Sequence, residues 1–145
     1  MIDVRVSDAP IDLLAAFTGV EVDGAGGVAS FTGRVRADDG VQALTLEHYP
    51  GMTEAALTAI GKAAAARWPL MALTIRHRVG RMVPGDRIVF VATAAAHRSD
   101  ALAACAYCID RLKTDAPFWK REATGQGERW VEARTTDVQK AADWT

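Results

Sequence analysis

The hydrophobic positions of this chain change period several times, and the changes divide it into strands and helices. Ile2, Val4 and Val6 alternate with polar residues, which predicts a short strand with one buried face. Ser7-Asp8-Ala9-Pro10 then reads as a cap with proline in the first turn, opening a helix that runs to about Phe17. The stretch GVEVDGAGG, residues 19–27, has the glycine content of a loop. VASFTGRVR (28–36) and VQALTLEHY (41–49) both suit strands, and the turn-rich ADDG between them predicts a hairpin. Gly33, inside the first of these, marks a bulge or a close approach to a ligand.

From Thr53 and Glu54 onward, TEAALTAIGKAAAARW places apolar residues at helical spacing until Pro69, which lacks an N–H and stops the helix. A second hairpin follows, with arms ALTIRHRVG and DRIVFVATAAA joined by RMVPGD, where Pro84-Gly85 is a strong turn signal. Ser99 or Asp100 caps a third helix that runs to about Thr114, and Pro117 then enforces extended chain. Phe118–Thr124 and Glu128–Arg134 form a last hairpin around Gly125-Gln126-Gly127, while the polar tail TTDVQKAADWT is assigned no element. Three main helices among repeated hairpins, without a regular β-α-β alternation, predict an α+β fold. At 145 residues, half of them hydrophobic and with no linker or repeat, the expectation is one domain spanning 1–145.

Charge narrows the function classes. A net charge of −1 removes the electrostatic footprint of a general nucleic-acid binder and leaves room for a local pocket that takes a small anion. No apolar run approaches the roughly 20 residues that span a bilayer, and MIDVRVSDAP has no signal-peptide pattern, so no membrane association is expected and the cytoplasm is the expected compartment. Cys105 and Cys108 form a C-x-x-C within SDALAACAYCIDRLK, on one stripe of the third helix with Ala101 and Leu112. His48, His77 and His97 supply no second metal-binding motif, so the two thiols read as small buried hydrophobes; neither a metal nor a cofactor is expected.

Three stretches carry candidate chemistry. In AAAHRSD a strand end runs into a helix start at His97 and Arg98, where free backbone N–H groups and a guanidinium favour an anion. In GRVR, Arg34 and Arg36 alternate with Val35 on one strand face; a solvated face explains that pair as well as an anion site does. In RLKTDAPFWKRE, Lys113 falls in the last helical turn, where the dipole favours a cation whatever its role. Lys120 shares a strand face with Phe118 and Glu122, while Trp119 and Arg121 point the other way. The turn at Pro117 allows the two lysines to converge. No G-x-S-x-G, free nucleophilic cysteine or glycine-rich phosphate loop is present. The residues thus reach an anion pocket drawn from Arg34, Arg36, His97, Arg98, Lys113, Lys120 and Arg121, without reaching a reaction.

The words ALTLEHYPGMTE, RWPL, HRVG, PGD, AHRS, LKTDAPFWKRE and RWVEAR, in that order from about Val28 to Arg134, closely resemble the catalytic subunit family of molybdopterin synthase. The resemblance implies an α/β-hammerhead-like fold with an added antiparallel β subdomain. It implies a sulfurtransferase of molybdenum cofactor biosynthesis that converts cyclic pyranopterin monophosphate (precursor Z) to molybdopterin. Sulfur would come from the C-terminal Gly-Gly thiocarboxylate of a small ubiquitin-like carrier subunit, in a heterotetramer built on a homodimer of large subunits. By position it assigns catalysis to Lys113 and Lys120, and substrate binding to Arg34, Val35, Arg36, His97, Arg98, Arg121, Glu122 and Arg134, the last acting across the dimer. Arg34 stands where the family commonly has lysine, and the loop 37–40 is short. Two other readings are a non-catalytic module for a ubiquitin-like tail and a different transferase acting on a phosphorylated heterocycle.

Overall fold

A computed structural model of the chain describes residues 1–131 and 135–144. It is an α+β fold with two four-stranded sheets. The first contains β1 (Ile2–Ser7), β4 (Leu70–Arg78), β6 (Arg87–Ala95) and β2 (Gly27–Arg34), in the order β1-β4-β6-β2. β1 lies parallel to β4, and the other pairs are antiparallel. The second sheet, in the order β5-β3-β7-β8, contains β3 (Val41–His48), β5 (Gly80–Met82), β7 (Phe118–Thr124) and β8 (Gly127–Val131), all antiparallel.

β6 is the spine of the first sheet because both of its faces are covered. Val89, Val91 and Ala95 pack beneath α2 (Met52–Arg67) and α3 (Arg98–Asp115), against Leu57, Ile60, Ala101 and Cys108. Phe90, Ala92 and Ala94 face the opposite way, toward Ala16 of α1 (Leu13–Thr18) and toward Val20. Period-two alternation thus sends alternate side chains into two separate cores. A third cluster of Val35, Leu46, Val79 and Met82 joins the two sheets.

The structure corrects several expectations. Strands 28–36 and 41–49 do not form a hairpin: β2 pairs with β6, whereas β3 pairs with β5 and β7. Asp39 (φ 58°) and Gly40 (φ 73°) turn the chain through a short 3-10 turn at Asp38–Gly40, away from the first sheet. The linker between β4 and β6 contains β5, which crosses to the second sheet. α1 is capped by Asp12, whose carboxylate accepts from Ala15 N–H at 3.2 Å, so the helix begins later than Pro10. His97 occupies the N-cap position of α3 without a side-chain cap, two residues ahead of the expected Ser99 and three ahead of Asp100. Glu54 reaches back to Gly51 N–H at 2.9 Å, closing the start of α2.

The tail contains a fourth helix, α4 (Thr135–Ala142). It is anchored by Trp144, whose indole N–H donates to Asp110 Oδ2 at 2.6 Å and whose ring meets Trp68 and Tyr107 edge to face. The Arg67 guanidinium lies within 6 Å of all three rings.

Cys105 and Cys108 are buried free thiols on α3, and burial pushes their pKa values up to about 11 and about 12. In the native chain both are expected to react with thiol reagents only at the rate of unfolding. Cys108→Ser, which buries a hydroxyl in an apolar cluster, should cost about 1–3 kcal/mol in denaturant unfolding; rapid native-state labelling would contradict this packing role.

Candidate functional site

At the seam between the sheets lies a cavity of about 670 Å³. Its walls come from the end of β2, the 3-10 turn, the last turns of α3 and the inner face of β7. Lys113 reaches it from the last turn of α3 and Lys120 from β7, while Arg34 and Arg36 line it from the end of β2 and the segment that follows. The convergence has a local cause. Ala116 leaves the helix in an extended conformation (φ −77°, ψ 129°), and Pro117 carries the chain into β7. Buried Thr53 fixes this corner, its hydroxyl donating to Pro117 O at 3.4 Å and accepting from Tyr49 N–H at 3.2 Å.

β7 alternates as its sequence predicts. Phe118, Lys120 and Glu122 face the cavity. Trp119 lies on the other side against Tyr49, with ring centroids 4.8 Å apart, and Arg121 there is bound to Glu47 and Glu128, each at 3.3 Å, beneath Trp130. The structure therefore keeps Arg121 out of this cavity.

Arg34 and Arg36 are positioned by the irregular end of β2. The register of β2 against β6 shifts between Gly33 and Arg34, and a Cβ on Gly33 would come within 2.7 Å of Val89 Cγ1. The glycine thus marks both a bulge and a close approach, the latter to Val89 in this structure. Val35 is buried, donates its N–H to Asp86 O at 2.9 Å, and accepts from Gly85 N–H at 2.8 Å. Its neighbours consequently point outward. Arg34 donates from Nε to Gly85 O at 3.1 Å, and Arg36 pairs with Asp38 at 3.3 Å. Both Arg36 and Asp38 are more than half exposed, so their pair is worth only about 0–1 kcal/mol and Arg36 is readily turned toward a bound anion.

His97 and Arg98 are exposed at the other end of α3. At about 1.5 Å of rise per residue, roughly 22 Å of helix separates Arg98 from Lys113. They do not line the cavity of their own protomer. Their position is set by the chain entering β2: a Cβ on Gly26, just ahead of the strand, would fall 2.1 Å from Ala96 O, and one on Gly27 would fall 3.0 Å from Arg98 Cα. Arg134 lies outside the described residues. The structure thus gathers Arg34, Val35, Arg36, Lys113, Lys120 and Glu122 and leaves His97, Arg98 and Arg121 apart.

His77 lines the cavity although its sequence context did not single it out as a site residue. Its ring stacks on Phe118 at 4.1 Å, and Nδ1 lies 2.9 Å from Arg78 O. Burial lowers its pKa to about 4; the hydrogen bond to Arg78 opposes that fall, while the charges of Lys120, Lys113 and His48 reinforce it. The signal available in the sequence is alternation: His77 shares its strand face with Ile75 and Val79, both buried. Among the described residues no group of three or more His, Cys, Asp or Glu is placed to hold a metal ion, and no helix is long and apolar enough to cross a membrane.

Fold and site together define an α+β protein with a cavity at the seam of two sheets where two lysines and two arginines meet. The MoaE protein family model matches residues 6–115, and the chain belongs to that family. It is 58% identical over 122 residues to the molybdopterin synthase catalytic subunit of Salmonella typhimurium, covering 82% of this chain and 81% of that protein. Among solved structures, the molybdopterin biosynthesis MoaE protein of Burkholderia ambifaria superposes with a TM-score of 0.86 at 49% identity, over 99% of this chain and 98% of that one. Molybdopterin synthase from Staphylococcus aureus superposes with a TM-score of 0.83 at 33% identity, over 88% and 95% of the two chains.

The depressed pKa of His77 makes stability depend on pH. The unfolded ring, with the ordinary value of 6.5, takes up its proton before the folded one does at about 4. Stability therefore falls as pH drops from about 6.5 to 4, by up to about 3 kcal/mol from this residue. Denaturant titrations at neutral pH and near pH 4.5 should show His77→Gln losing much of that pH dependence; identical slopes in both proteins would contradict the assignment.

Proposed function

We propose that this chain is the catalytic subunit of a molybdopterin synthase, a sulfurtransferase that converts cyclic pyranopterin monophosphate to molybdopterin. Its sulfur donor in this reading is the thiocarboxylated Gly-Gly tail of a small ubiquitin-like carrier subunit. The observation that carries the reading is the meeting of Lys113 and Lys120, from adjacent elements, in one cavity with Arg34 and Arg36. The reaction brings together two anions, a cyclic phosphate and a thiocarboxylate tail, and a pocket lined by ammonium and guanidinium groups suits both. Names carried by the relatives, and identities near or above 50% over most of the chain, support the same assignment.

Lys113 polarises the thiocarboxylate carbonyl from the helix end, and Lys120 moves the proton that accompanies opening of the cyclic phosphate. Arg34 and Arg36 hold the phosphate, with Val35 fixing the backbone between them and Glu122 facing the same cavity. The unit that acts is the whole chain as one domain, working in the cytoplasm. His97 and Arg98 are too far from the lysines of their own protomer to share one small ligand. In a homodimer of catalytic subunits within a heterotetramer, the pair serves the neighbouring protomer's cavity, as Arg134 does, while Arg121 on the outer face of β7 acts indirectly through its carboxylate partners.

Single-turnover assays with precursor Z and thiocarboxylated carrier should show Lys113→Ala and Lys120→Ala each losing about 10²-fold or more in dithiolene formation. Normal product formation by Lys113→Ala would contradict the assignment. Co-expressing Lys113→Ala and Arg98→Ala chains should restore activity in mixed dimers, because one of the two cavities then contains neither defect. Mixed dimers no more active than either parent would show that His97 and Arg98 do not act across the dimer.

A further inference from the structure

His77 has a defined donor and acceptor state. A main-chain carbonyl oxygen only accepts, so the 2.9 Å contact with Arg78 O places the ring proton on Nδ1. In the neutral ring Nε2 then carries a lone pair, and among the described residues it has no hydrogen-bond partner. The stack on Phe118 holds the ring plane, and the ring borders the cavity shared by Lys113 and Lys120.

That cavity is dominated by donors. Arg34, Arg36, Lys113 and Lys120 supply N–H groups; of the carboxylates, Asp38 and Glu122 are paired with Arg36 and Arg129 at 3.3 and 3.6 Å, and Asp39 sits on the 3-10 turn at the cavity's edge. A phosphorylated heterocycle also presents ring N–H and O–H donors, which need an acceptor. A carboxylate in that place would repel the phosphate; a neutral imidazole accepts without adding negative charge.

We propose that His77 is a substrate-binding residue of the cavity, whose unprotonated Nε2 accepts a hydrogen bond from an N–H or O–H of the heterocycle and orients it against the two lysines. The proposal rests on the molybdopterin synthase reading above. Phe118 covers one face of the imidazole, so the ring meets the heterocycle through its Nε2 edge, and the in-plane lone pair there fixes which donor of the heterocycle faces inward.

Steady-state assays with precursor Z and thiocarboxylated carrier compare the wild-type chain with His77→Phe, which keeps the stack and removes the acceptor, and with His77→Gln, which keeps an acceptor. His77→Phe should raise KM for precursor Z by on the order of tenfold, with KM for the carrier unchanged, while His77→Gln stays within about threefold of wild type. Wild-type turnover with an unaltered His77→Phe variant overturns the inference alone; no product from the wild-type chain with a competent carrier overturns the parent reading and the inference with it. If His77→Phe does not fold, nitrogen NMR of the wild-type imidazole decides. The expected result is a proton on Nδ1 and an Nε2 resonance that moves when precursor Z is added. A protonated Nε2 at neutral pH, or a resonance that precursor Z leaves in place, overturns the proposal.

Discussion

The site depends on how Val35 is held. Its amide and carbonyl are bonded to Asp86 and Gly85, at the turn before β6, and its side chain is buried with Leu46, Val79 and Met82 between the two sheets. This clamp ends β2 as a regular strand and sends the chain through Asp38–Gly40 into the second sheet. It also leaves Arg34 and Arg36 facing outward on either side of a buried residue. The cavity is the space between that clamp and the corner at Pro117, which is tied to the start of α2 through Thr53. Each wall is thus anchored through main-chain groups, Val35 by backbone bonds to Gly85 and Asp86 and Pro117 by the Thr53 hydroxyl, and the charged side chains ride on that frame.

α3 gives the molecule two electrostatic ends. Its N-terminus carries His97 and Arg98 beside free backbone N–H groups, and its C-terminus carries Lys113 where the helix dipole favours a cation. A helix of 18 residues cannot bring both ends to one small ligand. The cationic residues that appear as one set along the chain therefore form two separate patches on a protomer.

Much of this was legible in the sequence. The helices from Thr53 and through Ser99–Thr114 carry clear periodicity, and the alternation in PFWKRE correctly separated Lys120 from Arg121. The first hairpin was misread because adjacent strand patterns reveal strands without naming their partners. β3 finds β7, far along the chain, through the apolar face that carries Leu46. The helix in the tail escaped notice because Trp144 stabilises its docking through contacts with Arg67, Tyr107 and Asp110 on other helices, none of them visible as local pattern. His77 was missed for the same reason: its significance comes from Phe118, Lys113 and Lys120, which join it only in the folded chain. For the two lysines, the helix end, the strand face shared with Phe118 and Glu122, and Pro117 between them allow convergence in sequence without requiring it, and only the family resemblance points to a reaction.

The central claim is that Lys113 and Lys120 share one anion-binding cavity from which the remaining lysines are excluded. Lysine-selective chemical modification followed by peptide mass analysis, with and without precursor Z, measures this directly, because the chain has four lysines in separate sequence contexts. The account predicts that precursor Z protects Lys113 and Lys120 together, over the same concentration range, and leaves Lys62 and Lys140 as reactive as before. Protection of one without the other, or equal protection of all four, would contradict it.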